Sequence, residues 1–410
     1  MSAQAEDLLF LDRVAKAVSH ALRCGRGTAL LHLRLRGSDS GAGPASGPGP
    51  ELTEIAGRVA ACTRYPDSVV QLDGRSFAIL MSEFVRPEEA GLLAMRLGQA
   101  VAEAGPGLGA CLGIALAPFE TEAPEDLMAA ARSACEAALA AGEDLRFSSE
   151  EMNRVARVRA EISRDLPQAL EAGELRLHYH PQLDLASDRI TGAEALLRWQ
   201  HPARGLLLPA EFVPLAEAFG PLHRMTAWVL RQACLDAKAW PAPEVRVAVN
   251  LSPRQLEDQG SVDLVSWILD ETGLPRPRLE LEITESAILG DVAAAARRLQ
   301  SLRDLGVQLS LDDFGTGYSS LTLLKQLPVT KLKIDRSFVA GLGRDAGDGA
   351  IVRALIDLGR GLGLEVLAEG VETEAQLAFL REAGCTAAQG DLISPPVETQ
   401  ALAALFPAAA

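Results

Sequence analysis

The sequence predicts an α/β protein in two parts, a small α/β domain followed by an irregular TIM (β/α)8-type barrel with an antiparallel first strand. Three observations lead there. The chain has 410 residues, enough for about two to three domains that each bury a core. Eight apolar runs ending in polar residues alternate with helical patterns over its second half: 175–181, 190–199, 245–251, 279–284, 307–313, 331–335, 365–370 and 387–393. That rhythm is the signature of a parallel-stranded barrel. The first two runs are joined by residues 184–189 alone, too short for a crossover helix, so that pair must be antiparallel.

The part before the barrel, residues 1–148, follows in order. An amphipathic helix over 8–22 precedes an apolar strand over 29–35. The tract 37–50 is rich in Gly, Pro, Ser and Ala and is expected to be a mobile loop. A helix at 52–62 leads to strands at 68–72 and 77–81, joined by Asp73-Gly74, a hairpin signal. A further helix, a strand at 110–116 and a helix at 124–141 complete this domain. A charged helix within 149–172 is the expected linker to the barrel domain, residues 173–410.

Composition narrows the function. Hydrophobic residues make up 48% and charged residues 23%, ordinary for a globular protein. A formal net charge of -16 argues against a DNA or RNA polymer as partner, because phosphate contact needs clustered Lys and Arg. The six cysteines show no Cys-x-x-Cys spacing, as expected for reduced thiols. The first residues lack a basic stretch before an apolar run, and no apolar stretch is long enough to span a bilayer. A cytoplasmic location without membrane attachment is the expectation.

In a barrel of this type chemistry gathers at the C-terminal strand ends. Those ends offer Glu194, Asn250, Glu282, Asp312 with Asp313, Lys333 with Asp335, Glu369 with Glu372, and Gln389. A ring of carboxylates, an amide and a lysine suits hard cations, Mg²⁺ or Mn²⁺, with no organic cofactor. None of the six histidines has metal-ligand spacing, so zinc is not expected; His178 and His180 read as hydrogen-bonded barrel residues. Asp312 and Asp313 pose a problem, since neighbours in a regular strand face opposite ways. A turn permitted by Gly315 and Gly317 would solve it.

Two resemblances follow from these residues. Asp73-Gly74-Arg75-Ser76-Phe77, with Cys111-Leu112-Gly113 and Pro124-Glu125-Asp126-Leu127, resembles a GGDEF (diguanylate cyclase) domain. The acidic turn residues of that family are replaced by Arg75 and Ser76, and the strand 31–35 lacks its metal-binding aspartate. The resemblance therefore implies a degenerate, non-cyclising regulatory domain. Arg64 and Asp67 stand where that family's inhibitory site lies, implying a possible GTP or cyclic di-GMP effector site. Residues 155–405 resemble an EAL phosphodiesterase through six motifs in order: Glu194-Ala195-Leu196-Leu197-Arg198-Trp199, Val249-Asn250-Leu251-Ser252, Glu282-Ile283-Thr284-Glu285-Ser286, Asp312-Asp313-Phe314-Gly315-Thr316-Gly317, Lys333-Ile334-Asp335 and Ala368-Glu369-Gly370-Val371-Glu372.

The second resemblance implies a metal-dependent phosphodiesterase hydrolysing cyclic di-GMP to linear pGpG with two ions. It implies that Glu194, Asn250, Glu282 and Asp312 hold one ion and that Asp312, Asp313 and Glu369 hold the other. Catalysis would fall to Lys333, which orients the attacking water, with Asp313, Glu369 and Glu194; substrate contacts to Leu196, Arg198, Asp335, Glu372 and Gln389. Glu285 would anchor the loop 312–320, which lies near the family's dimer interface, so a homodimer through the barrel is expected. Three departures sit on the substrate side: His180 for a glutamine, Asp391 for a tyrosine, and Pro395 for a basic residue. They leave open a second reading, a receptor that binds cyclic di-GMP without hydrolysis and signals through the N-terminal domain or a partner.

Overall fold

Two α/β units divide the chain, Met1–Asp165 and Leu166–Ala410. The computed structural model describes residues 3–36, 50–121, 123–219, 222–258, 260–288, 291–315, 324–344 and 346–406. The expected mobile tract 37–50 lies, but for Pro50, outside the described residues, as do residues 316–320 of the loop after Asp312.

The first unit opens with helix α1 (Ala3–Cys24) and strand β1 (Gly27–Arg36). Helix α2 (Pro50–Ala61) leads to the hairpin β2 (Ser68–Asp73) and β3 (Ser76–Phe84). The Asp73 carboxylate accepts the Arg75 N–H at 2.7 Å and so closes the expected turn. Helix α3 (Glu88–Ala102), β4 (Gly109–Ala117), helix α4 (Pro124–Ala141) and β5 (Leu145–Phe147) follow. The sheet runs β2-β3-β1-β4-β5, with β1 antiparallel to β3 and β4. Leu31, Leu33, Ile79 and Ile114 build its core with Ile55 and Leu97 of the helices. Helix α5 (Glu150–Ala169) covers most of the expected linker.

The second unit is a closed barrel. Its strands are β6 (Leu175–Asp184), β7 (Arg189–His201), β8 (Gly205–Leu207), β9 (Arg246–Leu251), β10 (Leu279–Thr284), β11 (Gln308–Phe314), β12 (Lys331–Ile334), β13 (Glu365–Ala368) and β14 (Ala387–Ala388). The ring runs β6-β14-β13-β12-β11-β10-β9-β7, and β6 pairs back onto β7. Strand β6 is antiparallel to both its neighbours, β7 and β14. Strand β8 adds to β7 outside the ring.

Strand alternation sorts the side chains. Val247, Val249, Leu281, Leu309, Leu311 and Leu332 join one core with Leu230, Ile268 and Leu299 of the surrounding helices. The alternate residues, Glu280, Glu282, Ser310, Asp312, Lys331 and Lys333, are buried and polar. The interior of this barrel is therefore charged at two levels, where bulky apolar residues are usual.

Three strands end earlier than the sequence pattern suggests. Asp335 leaves β12 to cap the helix Arg336–Ala340, accepting the Ser337 N–H at 2.9 Å. After β13 and β14 the chain turns instead of extending. A Cβ on Gly390 would lie 2.2 Å from the Val371 carbonyl oxygen, so the two turns touch backbone to backbone there. Val371 N–H donates to the Gln389 carbonyl at 3.0 Å across that contact. Among the described residues no helix is long and apolar enough to cross a membrane.

Candidate active site

Lys333 sits at the centre. It comes from β12, is fully buried, and reaches carboxylates from four other places in the ring: Glu282 at 2.7 Å, Glu369 at 2.7 Å, Asp312 at 3.1 Å and Glu194 at 3.7 Å. Burial alone would lower its pKa; Glu194, Glu282, Glu369 and Asp312 outweigh that and hold it well above the ordinary lysine value. Two amides complete the ring around Glu194. Asn250 Nδ2 donates to Oε1 at 2.7 Å and Gln389 Nε2 to Oε2 at 2.7 Å.

One lysine cannot balance so many carboxylates. Burial, then the Glu194 charge, pushes Glu282 well above the usual carboxylate range. Burial, with Asp312 and Glu194, lifts Glu369 to about 7 against the pull of Lys333. Burial, then Asp312 and Asp335, lifts Asp313 to about 6. Excess negative charge held in place by the fold is what a cation site looks like before the cation. Among the described residues, carboxylate oxygens of Asp312, Asp313 and Glu369 lie within 4.8 Å of one another. Glu282 Oε1 and Gln389 Oε1 are buried acceptors with no hydrogen-bond partner among the described residues. This donor set fits divalent cations held by oxygen.

The puzzle of two adjacent carboxylates facing one site is solved by Asp313 itself. Its φ of 53° puts it in the left-handed region, and the register against β12 slips between Leu311 and Phe314. That is a bulge, which turns Asp313 onto the side of Asp312. Gly315 also has positive φ, 99°, but one residue beyond Phe314. The expected glycine turn is therefore corrected in part: the turn is made within the strand, and Gly317 lies outside the described residues. Glu285, 3% exposed, accepts the Gly315 N–H at 3.4 Å, holding the start of the loop.

The other expected site residues sit further out. Arg198 is buried on β7, and its guanidinium donates to the Leu197 carbonyl at 2.9 Å. Leu196 and Asn250 line a cavity of about 320 Å³, walled by Val213, Met225 and Val229. Asp335 caps its helix and acts on the Asp313 carboxyl, while Glu372 is exposed with its main-chain N–H on Gln376 at 2.8 Å. Neither belongs to the ring around Lys333. In the first unit, Arg64 and Asp67 share a tight turn. Asp67 accepts the Arg64 and Ser82 N–H groups at 3.3 and 3.0 Å, and the Arg64 guanidinium donates to the Glu83 carbonyl at 3.1 Å. With Arg96 they line a cavity of about 250 Å³.

Sequence reasoning passed over a second buried pair one level below. Lys331 donates to Glu280 at 2.6 Å and to Gln182 at 3.1 Å, and Arg246 holds Glu365 at 2.8 Å beside them. The signal was available: Glu280 and Lys331 precede Glu282 and Lys333 by two residues, so each shares a strand face with its successor.

Comparison with known proteins places this geometry. The EAL domain profile matches residues 163–396. The chain is 38% identical over 410 residues to the bifunctional diguanylate cyclase/cyclic di-GMP phosphodiesterase MucR of Pseudomonas aeruginosa, covering 97% of this chain and 60% of MucR. It is 39% identical over 403 residues to the cyclic di-GMP phosphodiesterase NbdA of the same organism, covering 94% of this chain and 51% of NbdA. An uncharacterized signaling protein of Caulobacter vibrioides is 42% identical over 86% of this chain and 44% of its own length. The chain thus spans 44% to 60% of the length of these relatives. Among solved structures, the PaMucR phosphodiesterase in complex with c-di-GMP superposes with a TM-score of 0.58 at 45% identity, over 59% of this chain and 99% of that one. With more than half of its length matched and a buried lysine tied to carboxylates around a closed barrel, this chain belongs to the EAL domain family.

Proposed function

We propose that the barrel is a divalent-cation-dependent phosphodiesterase that hydrolyses cyclic di-GMP to linear pGpG. The observation that carries the reading is the ring of carboxylates from separate strands around Lys333, with more negative charge than one ammonium neutralises. The names of MucR and NbdA and the c-di-GMP complex of the PaMucR phosphodiesterase support the substrate.

Glu194, Asn250, Glu282 and Asp312 would hold one Mg²⁺ or Mn²⁺, and Asp312, Asp313 and Glu369 the other. Such cations cover the phosphate charge and lower the pKa of water at the reacting phosphorus. Lys333 donates a hydrogen bond that aims the attacking water. Glu369, Asp313 and Glu194 are the carboxylates beside that water. Arg198 meets a non-bridging phosphate oxygen, and Leu196 with the cavity beside Asn250 receives part of the dinucleotide.

The N-terminal unit, in this reading, is a degenerate GGDEF-like domain that regulates the barrel. Similarity to the bifunctional MucR runs through it, yet Arg75 and Ser76 occupy its β2–β3 turn. It is expected to make no cyclic di-GMP from GTP, and product from the isolated unit would overturn this. The cavity of Arg64, Asp67 and Arg96 is the proposed effector site for GTP or cyclic di-GMP. A homodimer through the barrel and a cytoplasmic location complete the reading.

The test is direct. Purified protein with cyclic di-GMP and Mg²⁺ or Mn²⁺ is expected to yield pGpG, and a metal-free control none. Glu194→Gln is expected to remove roughly 10²-fold or more of the rate. No linear product in the wild type would replace the enzyme with a non-hydrolysing receptor.

A further inference from the structure

One nitrogen beside Glu194 has no role in this chemistry. His180 stands on β6 directly opposite Glu194 in the antiparallel register of β6 and β7. Opposed residues in such a pair share a face, so both side chains enter the barrel at one level. His180 Nε2 is buried and has no hydrogen-bond partner among the described residues. With its N–H on Nδ1, the ring leaves a free lone pair on Nε2.

The neighbours make that lone pair informative. Gln389 gives its Nε2 to Glu194 at 2.7 Å, which leaves its Oε1 as a buried acceptor without a donor among the described residues. Glu282 Oε1 is another. Three acceptors, from β6, β10 and the end of β14, thus find no donor among the described residues beside this carboxylate. Each such atom is costly to bury unless something positive meets it. A water molecule donates two hydrogens at most, whereas a cation satisfies all of them at once.

We propose that His180 Nε2 is a nitrogen ligand of the cation held by Glu194, making this a mixed nitrogen and oxygen site for a first-row transition metal. The inference rests on the metal reading above and goes beyond it in the choice of metal. An all-oxygen cage suits Mg²⁺; adding an imidazole favours Mn²⁺, and Co²⁺ more strongly still.

The experiment uses untagged, metal-free, full-length protein without substrate. Co²⁺ and Mg²⁺ are titrated calorimetrically into wild type, His180→Gln and Glu194→Gln. His180→Gln is expected to weaken Co²⁺ by roughly 10–100-fold and Mg²⁺ by less than about threefold. If the Co²⁺ to Mg²⁺ affinity ratio is unchanged in His180→Gln while Glu194→Gln weakens both ions, the histidine assignment falls and the metal reading stands. If Glu194→Gln alters neither ion, both fall. Pulsed electron paramagnetic resonance on the Mn²⁺-loaded wild type needs no variant: imidazole ¹⁴N modulation is expected, and its absence overturns the proposal.

Discussion

Asp313 carries the most tension of any single residue in the site. It holds a left-handed backbone at φ 53° and a carboxyl lifted to about 6. Non-glycine residues in such conformations store about 1–3 kcal/mol. Asp313→Gly removes both the strain and a repelling charge, so the metal-free protein should melt higher, while its cation affinity falls. Asp313→Val should melt lower, and equal melting of the two variants would show that the backbone is unstrained. Protons report on the same residues. In the folded, metal-free protein Glu369 titrates near 7 and Asp313 near 6, against ordinary values of 4.5 and 3.8. The folded state therefore binds protons more tightly than the unfolded one. The stability these groups contribute is full below about pH 4 and is lost as pH rises through 6 and 7. Thermal melts of metal-free protein should fall across that window, and saturating Mn²⁺ should remove the slope. Asp391 offers a further test. On the proposed function, Asp391→Tyr should lower KM with little change in kcat, because it would remove a carboxylate from the side expected to receive a ligand with two phosphates; an unaltered KM would place the side chain outside the binding surface.

At the scale of the strand, the barrel works by repeating one design at two levels. Lys333 bridges to Glu282 at 2.7 Å, and two residues earlier Lys331 bridges to Glu280 at 2.6 Å, both across β11. The upper bridge is shared with Glu194, Asp312 and Glu369; the lower is enclosed by Gln182 and Arg246. Breaking a buried pair strands a charge, at a cost of about 3–5 kcal/mol. Lys331→Met should lose that much in denaturant unfolding. The double change Glu280→Leu with Lys331→Met should recover most of it, because an apolar pair replaces an ion pair. Failure of the double variant to recover would show that Lys331 is needed for more than meeting Glu280.

On the scale of the molecule, the two units have separate cores, Leu31, Ile79 and Ile114 in one and Val249, Leu281 and Leu309 in the other. Separate cores predict separate transitions in calorimetry. If the proposed cations bind the folded barrel, Mn²⁺ at 100 times its dissociation constant should stabilise that unit by about 2.7 kcal/mol. The transition of the N-terminal unit should stay where it is. A shift of both together would show that the units unfold as one cooperative body.

Much of this protein was legible in the linear pattern. Eight apolar runs, seven of them offering Glu, Asn, Asp, Lys or Gln toward one end, specified a barrel with a carboxylate ring, because strand period and strand end are local properties. The short connection 184–189 specified the antiparallel pair for the same reason. The structure alone decided what depended on neighbours distant in the chain. Strand β14 stops at Ala388 because Gly390 meets Val371 backbone to backbone. Asp313 faces its partner through a bulge formed against β12, ahead of Gly315. His180 read as a hydrogen-bonded barrel residue standing for a glutamine on the substrate side; the register of β6 sets it opposite Glu194, with Nε2 unpaired among the described residues. Local pattern chooses which face a side chain takes; only the closing of the barrel chooses whose company it keeps.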